Sequence, residues 1–355
     1  MKLFMNLLSN EKYIDDLRYT SSLDLPWDKL NDSAILISGA SGMIGSFLID
    51  VLMYKNKKDN LNCHIYALGR NIGRAKERFS AYWNNQYFDF ISGDINKGLT
   101  LNLDQIDYVF HAASNTHPVA YSTDPIGTIT TNIIGLNNML QIATNHSCKR
   151  FIFASSNEIY GENRGDVELF DEKYCGYIDC NTMRAGYPES KRCGEALCQA
   201  YKKQNNLDVV IARFTRTFGP TMKMSDTKAI SQFIKNGINK ENIILKSEGY
   251  QYYSYTYVSD AVGGLLTILL KGESGEAYNI SDISCDITLK ELAKTIADYV
   301  GTKVIFELPD KAESAGYSKA TKARLNSSKI NHNLGWKARY NVQEGLERTI
   351  DILRS

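Results

Sequence analysis

Between an apolar run, AILIS (34–38), and a stretch with helical apolar spacing, MIGSFLIDVLMY (43–54), stands GASGMIG (39–45). These three glycines constrain the chain more than any other feature. Gly39 permits a tight turn, Gly42 lets backbone approach a pyrophosphate, and Gly45 lets the helix pack closely on the strand. The amino end of the helix then offers unpaired N–H groups and a partial positive charge to phosphates. With a strand before and a helix after, dinucleotide binding is the expected use. A plain turn does not need three glycines at this spacing.

The pattern continues in alternation. CHIYAL (63–68), FDFISG (88–93), IDYVFHAA (106–113), RFIFAS (151–156) and DVVIARF (208–214) read as strands, and 72–83, 126–144 and 188–203 as helices. The strands are continuous apolar runs, the mark of a parallel sheet covered on both faces. The expected class is therefore α/β, a Rossmann-like doubly wound parallel sheet. Beyond about 219 the pattern loosens into helices at 228–238, 259–271, 288–300 and 342–353. Between them lie short strands at 242–246, 254–258, 277–280 and 304–308. This predicts an N-terminal extension over 1–32, an NAD(P)-binding domain carrying the catalytic residues over 33–218, and a smaller, mainly substrate-binding C-terminal α/β domain over 219–355.

Composition narrows the function classes. A net charge of +1 over 355 residues, with no long basic run, provides no field for nucleic acid or an anionic membrane. No apolar stretch reaches the ~18 residues that span a bilayer, and no targeting segment is legible. Seven irregularly spaced cysteines and five dispersed histidines give neither a disulfide scaffold nor a metal set. A cytoplasmic protein without a structural metal is the expectation.

Further residues point to redox chemistry. ALGRN puts Gly69 where an acid would grip the ribose of NAD, with Arg70 beside it. A guanidinium there suits a 2′-phosphate and favours NADP, the alternative being NAD with Arg70 in solvent. Asp94, in GDI, sits where an acid could hold the adenine amino group. YPESK places Tyr187 and Lys191 four residues apart on one helix face. An ammonium near a phenol favours the phenolate, which can take a carbinol proton as hydride leaves for a nicotinamide. SSNEIYG (155–161) sets Ser156 and Glu158 at the end of a buried strand, either to make a turn or to face a substrate.

In these motifs the sequence resembles the extended short-chain dehydrogenase/reductases, the nucleotide-sugar epimerase and dehydratase group, from about residue 33 to the end. HAAS (111–114), Asn132 in TNIIG, Ser156 and Tyr187–Lys191 recur there in this order. DPIGTITTNIIGLNNML (124–140), YPESKRCGEALCQAY (187–201) and RTFGPTMKMSD (216–226) look most like UDP-glucuronate decarboxylases. The resemblance implies cofactor contacts at Ser41, Met43, Ile44, Ile95, Ala112, Ala113, Ser114, Asn132 and Ala154. It also implies a nucleotide-sugar substrate held by Ser156, Asn157 and Glu158, and a homodimer built as a four-helix bundle from about 130–146 and 187–203. In this group a glutamate at the 158 position accompanies 4,6-dehydration and decarboxylation, since a ketone at C4 acidifies the C5 proton.

The resemblance fails where a diphosphate should be gripped. Arg216 stands for an asparagine, Thr221 and Tyr253 stand for arginines, and GYSKATKAR (316–324) offers Lys319, Lys322 and Arg324 instead of an arginine-rich segment. Arg216 and Lys319 are therefore expected to supply charge from new directions, unless Arg216 enters an internal ion pair. The expected activity is C4 oxidation followed by loss of water across C5–C6, with catalysis by Tyr187, Lys191, Ser156 and Glu158. Alternatives are decarboxylation of a uronic acid, epimerisation, or a cofactor-binding scaffold without turnover.

Overall fold

The computed structural model describes residues 7–116, 121, 123–307 and 321–355. In chain order the first elements are α1 (Glu11–Ser21), β1 (Ala34–Ser38), α2 (Met43–Asp59), β2 (His64–Gly69), α3 (Ile72–Arg78), β3 (Phe88–Ser92) and β4 (Tyr108–His111). Next come α4 (Pro125–Thr130), a π-helical segment (Thr131–Gly135), α5 (Leu136–Asn145), β5 (Arg150–Ser156), α6 (Gly186–Asn205), β6 (Val209–Phe214) and β7 (Arg216–Phe218). The remainder holds α7 (Ala229–Asn239), β8 (Ile243–Leu245), β9 (Tyr252–Tyr257), α8 (Val258–Lys271), β10 (Ala277–Ile280) and β11 (Asp286–Thr288). It closes with α9 (Leu289–Val300), β12 (Val304–Phe306), β13 (Lys322–Ala323), α10 (Ser328–Leu334) and α11 (Val342–Arg354).

Seven strands form one parallel sheet in the order β10-β6-β5-β4-β1-β2-β3. Helices cover both faces, so Ile35, Leu36, Ile37, Phe151, Ile152 and Phe153 are fully buried. That is why those strands read as unbroken apolar runs. Strand order reverses between β1 and β4, and in sheets of this kind the crevice outside the strand carboxyl ends at that point takes the ligand. The edge strand β10 comes from beyond residue 218, so that boundary marks where the chain leaves the sheet rather than its last strand. The later chain adds a sheet of β11, β9 and β13, with β7 paired to β9.

Two local features depart from the sequence expectation. The helix predicted over 126–144 contains the π segment, a wider turn of the kind that often marks a functional site. Residues 11–21 form a capped helix, with the Asn10 side chain accepting from the Tyr13 N–H at 3.1 Å. That helix ties the two halves together. Tyr13 donates to Asp50 of α2, which also pairs with Arg78. Asp16 accepts from Tyr257 at 2.5 Å and pairs with Arg348 at 2.7 Å.

Candidate active site

The glycine loop is built for close approach. Gly39 has φ +73°, and a Cβ there would lie 2.8 Å from the backbone of Ala112 and Ala113. A Cβ on Gly45 would lie 2.7 Å from the Gly39 carbonyl oxygen, so α2 can sit this near the strand only without one. Gly42 is the N-cap of α2 and offers no side chain, leaving the first N–H groups of the helix open to a phosphate. Ser41, Met43 and Ile44 are partly exposed along this rim. Thr221 donates to the Met43 carbonyl at 3.0 Å, which anchors the segment after β7 to the loop.

Along the same strand edge, Gly69 ends β2 and Arg70 is exposed beyond it. Arg70 and Arg74 lie close enough to Lys223 to help burial push its ammonium down. Asp94 follows β3, is partly buried, and accepts from the Asn96 N–H at 3.0 Å. Ile95 is buried beside it, while Ala112, Ala113 and Ser114 line the exit of β4. Asn132 lies fully buried in the π segment, donating to Ser190 Oγ at 2.9 Å, its own Oδ1 unpartnered among the described residues. A cradle that admits no Cβ, an uncapped helix end and an orphaned buried amide oxygen all fit a dinucleotide.

Tyr187 and Lys191 occupy the first turns of α6 and are 7% and 2% exposed. Lys191 Nζ donates to the Ala154 carbonyl at 2.8 Å and lies 4.7 Å from the Phe153 ring centroid. Burial pushes its ammonium down to about 7. The sequence argument expects Lys191 to lower the Tyr187 phenol, and here the structure differs. The phenol is pushed up, first by burial and next by the negative charge of Glu158, while Ser156 and Arg184 pull it down. Lys191 does not offset this: its Nζ is turned to the Ala154 carbonyl and lies 5.9 Å from the phenol ring centroid.

Behind these residues lies a buried polar frame. Ser155 donates to Glu195 at 2.5 Å, and Arg213 closes on the same carboxylate at 2.6 and 3.0 Å while donating to the Tyr160 oxygen at 2.9 Å. Because β5 and α6 are joined this way, Ser156 and Tyr187 are held on one rigid base. Ser156 caps the turn Asn157–Tyr160, accepting from the Glu158 N–H at 3.2 Å, and Asn157 is buried next to it. The serine thus makes the turn and faces the tyrosine as well.

Glu158 joins this group through Arg184, whose Nη2 is 2.9 Å from Oε1 and 2.8 Å from Oε2. The Arg184 guanidinium lies 4.6 Å from the Tyr121 ring centroid, and that ring is 5.0 Å from the ring of Tyr187. Arg184 Nη1 is buried without a partner among the described residues. The sequence reading passed over both Arg184 and Tyr121. A cation three residues before the tyrosine of YPESK was the available signal for Arg184, whereas nothing local marks Tyr121.

On the substrate side, Phe214 pairs with Ser156 across the sheet, which sets Arg216 just beyond the strand ends. Its guanidinium lies 3.5 Å over the Tyr253 ring, with Nη1 buried and, among the described residues, unpartnered. Among the described residues no carboxylate pairs with it. Arg324 is otherwise occupied, bonding Glu168 at 2.8 Å over the Tyr252 ring. Lys319 lies outside the described residues. Among those residues no group of three or more His, Cys, Asp or Glu is arranged to hold a metal ion.

Comparison with known proteins agrees with this geometry. UDP-glucuronic acid decarboxylase 1 of Xenopus tropicalis is 32% identical over 321 residues, covering 90% of this chain and 72% of that protein. UDP-glucuronic acid decarboxylase 5 of Arabidopsis thaliana is 30% identical over 312 residues, covering 88% and 86%. Among solved structures, DesIV, a dTDP-glucose 4,6-dehydratase from Streptomyces venezuelae with NAD and TYD bound, superposes with a TM-score of 0.77 at 24% identity, covering 90% of this chain and 97% of that one. UDP-glucuronic acid 4-epimerase of Bacillus cereus, in complex with UDP-glucuronic acid and NAD, gives 0.75 at 22%, covering 90% and 99%. Residues 35–281 match the NAD dependent epimerase/dehydratase family, and the chain belongs to it.

Proposed function

We propose that this protein oxidises a nucleotide-linked uronic acid at C4 and releases carbon dioxide from the resulting keto acid. A nicotinamide dinucleotide held by the glycine loop, Asn132 and Lys191 would supply the acceptor for the C4 hydride and the donor for its return. Tyr187 takes the proton of the C4 hydroxyl, Ser156 holds that oxygen, and Lys191 supports the ribose side of the pocket. With C4 a ketone, the C5–C6 bond breaks. Its electron pair passes to the C4 oxygen as an enolate, C6 departs as CO2, and a proton then adds at C5.

The observation that carries this reading is the pairing of Glu158 with Arg184 next to a neutral Asn157. Loss of water across C5–C6, the first expectation from sequence, needs a base at C5 and an acid for the departing hydroxyl. Asn157 supplies no acid, and Glu158 is engaged. Decarboxylation needs neither group, and the names of the curated relatives support it. Incubation with UDP-glucuronic acid is expected to release a product lighter by the mass of CO2. Unchanged mass with that sugar, or loss of water from dTDP-glucose, would replace this reading with epimerisation or dehydration.

For the diphosphate we assign Arg216, stacked on Tyr253. NADP is the cofactor that suits Arg70, Arg74 and Lys223, although NAD is the one bound in the related structures. Titration of the protein with each cofactor should show tighter binding of NADP. Arg70→Asp should reverse the order, and equal affinities in the unaltered protein would remove the assignment. The homodimer goes with this reading: Ile126 and Ile129 of α4, Ile134 of the π segment and Met183, just before α6, are 76, 37, 46 and 65% exposed. Among the described residues no helix is long and apolar enough to cross a membrane, and action in the cytoplasm is part of the proposal.

A further inference from the structure

We infer that Arg184 reads the group at C6 of the sugar and makes the site prefer an acid over a neutral hexose. The inference rests on the C4-oxidation reading, which sets Glu158 beside C5. A guanidinium carries five N–H donors and no acceptor. Nη2 of Arg184 spends its donors on the two Glu158 oxygens, at 2.9 and 2.8 Å. Nη1 is buried and has no acceptor among the described residues. Buried donors are rarely left unpaired, and one beside the reacting groups points to an acceptor on the ligand.

The surroundings limit what that acceptor can be. The face of the guanidinium lies against Tyr121, and Tyr121 against Tyr187, so Arg184 is held at the level of the phenol rather than swinging free. With the Tyr187 hydroxyl at the C4 oxygen, the next sugar substituent on the Glu158 side is C6. A C6 carboxylate placed there would be repelled by Glu158, and the cation of Arg184 between the two offsets the repulsion. The geometry also suits the chemistry. A carboxylate clamped by both nitrogens of an arginine would be stabilised against leaving as CO2. Glu158 already holds Nη2, so only Nη1 remains to orient the departing group.

The test is binding of UDP-glucuronic acid and UDP-glucose to the cofactor-loaded protein, measured by calorimetry for the unaltered chain, R184Q and R184K. Lysine has one nitrogen, which can keep the ion pair with Glu158 but cannot also fill the place of Nη1. Both variants are therefore expected to weaken UDP-glucuronic acid by roughly ten- to hundredfold while leaving UDP-glucose nearly unchanged. If Arg184 merely props Glu158, lysine should restore the preference for the acid, and that result overturns the inference. So does equal weakening of both sugars in R184Q, or an unaltered protein that binds the two alike. R184K preserves the charge pair and so gives an answer even if R184Q does not fold. An unaltered protein that prefers the acid yet releases no CO2 would sink decarboxylation alone, leaving the ratio to decide Arg184.

Discussion

Tyr187→Phe is expected to cut turnover by about 10²–10⁴-fold, the usual worth of a positioned acid–base group, with little change in affinity for the nucleotide sugar. The substitution removes one oxygen and keeps the ring, which packs 5.0 Å from Tyr121 and is 7% exposed. Steady-state kinetics should therefore show the loss in kcat rather than in KM. The phenol also predicts a pH dependence. Burial and Glu158 hold it above its ordinary value, so the base form grows as pH rises, and kcat/KM should climb through the neutral range. The residual rate of the phenylalanine variant should lack that climb. A variant that keeps most of its activity, or keeps the same pH profile, would mean that another group takes the C4 proton.

Lys191→Met should do two opposite things: remove turnover and stabilise the fold. The side chain is 2% exposed and burial lowers its ammonium from 10.5 to about 7. Between those values the unfolded chain carries a proton here that the folded protein does not. Folding stability at this residue therefore falls as pH drops from about 10.5 towards 7 and stays low below it. A change of that size corresponds to roughly 5 kcal/mol, which the loss of the bond to the Ala154 carbonyl in the methionine variant partly offsets. Thermal unfolding at pH 6 and pH 9 checks the sign: the advantage of the methionine variant should be larger at pH 6. An advantage that is equal at both, or larger at pH 9, would show that Lys191 is not buried as a destabilising cation. A buried lysine that costs the fold this much goes with a functional contact, here the ribose side of the pocket proposed above.

Much of the site could be read in advance because its signals are local. Gly39, Gly42 and Gly45 announce a loop whose backbone must come close to something, and the structure gives the distances that enforce it. Tyr187 and Lys191 are one helical turn apart, so their common face follows from helix geometry alone. The unbroken apolar runs of β1, β5 and β6 carry the parallel sheet for the same reason, since both faces of each strand are covered. Less local features were missed or mistaken. The short strands β7, β11 and β13 have too few residues for a period to show, and the π segment leaves no trace in the apolar spacing of 126–144.

Covalent neighbourhood and periodicity were thus enough to specify the Rossmann sheet, the phosphate-binding loop and the Tyr187–Lys191 pair. The sign of the Tyr187 shift, the engagement of Glu158 by Arg184, and the stacking of Arg216 on Tyr253 depend on which distant groups meet and how much water is excluded. Those are properties of three-dimensional packing, because desolvation and charge interactions act over ångströms in space whatever the separation along the chain.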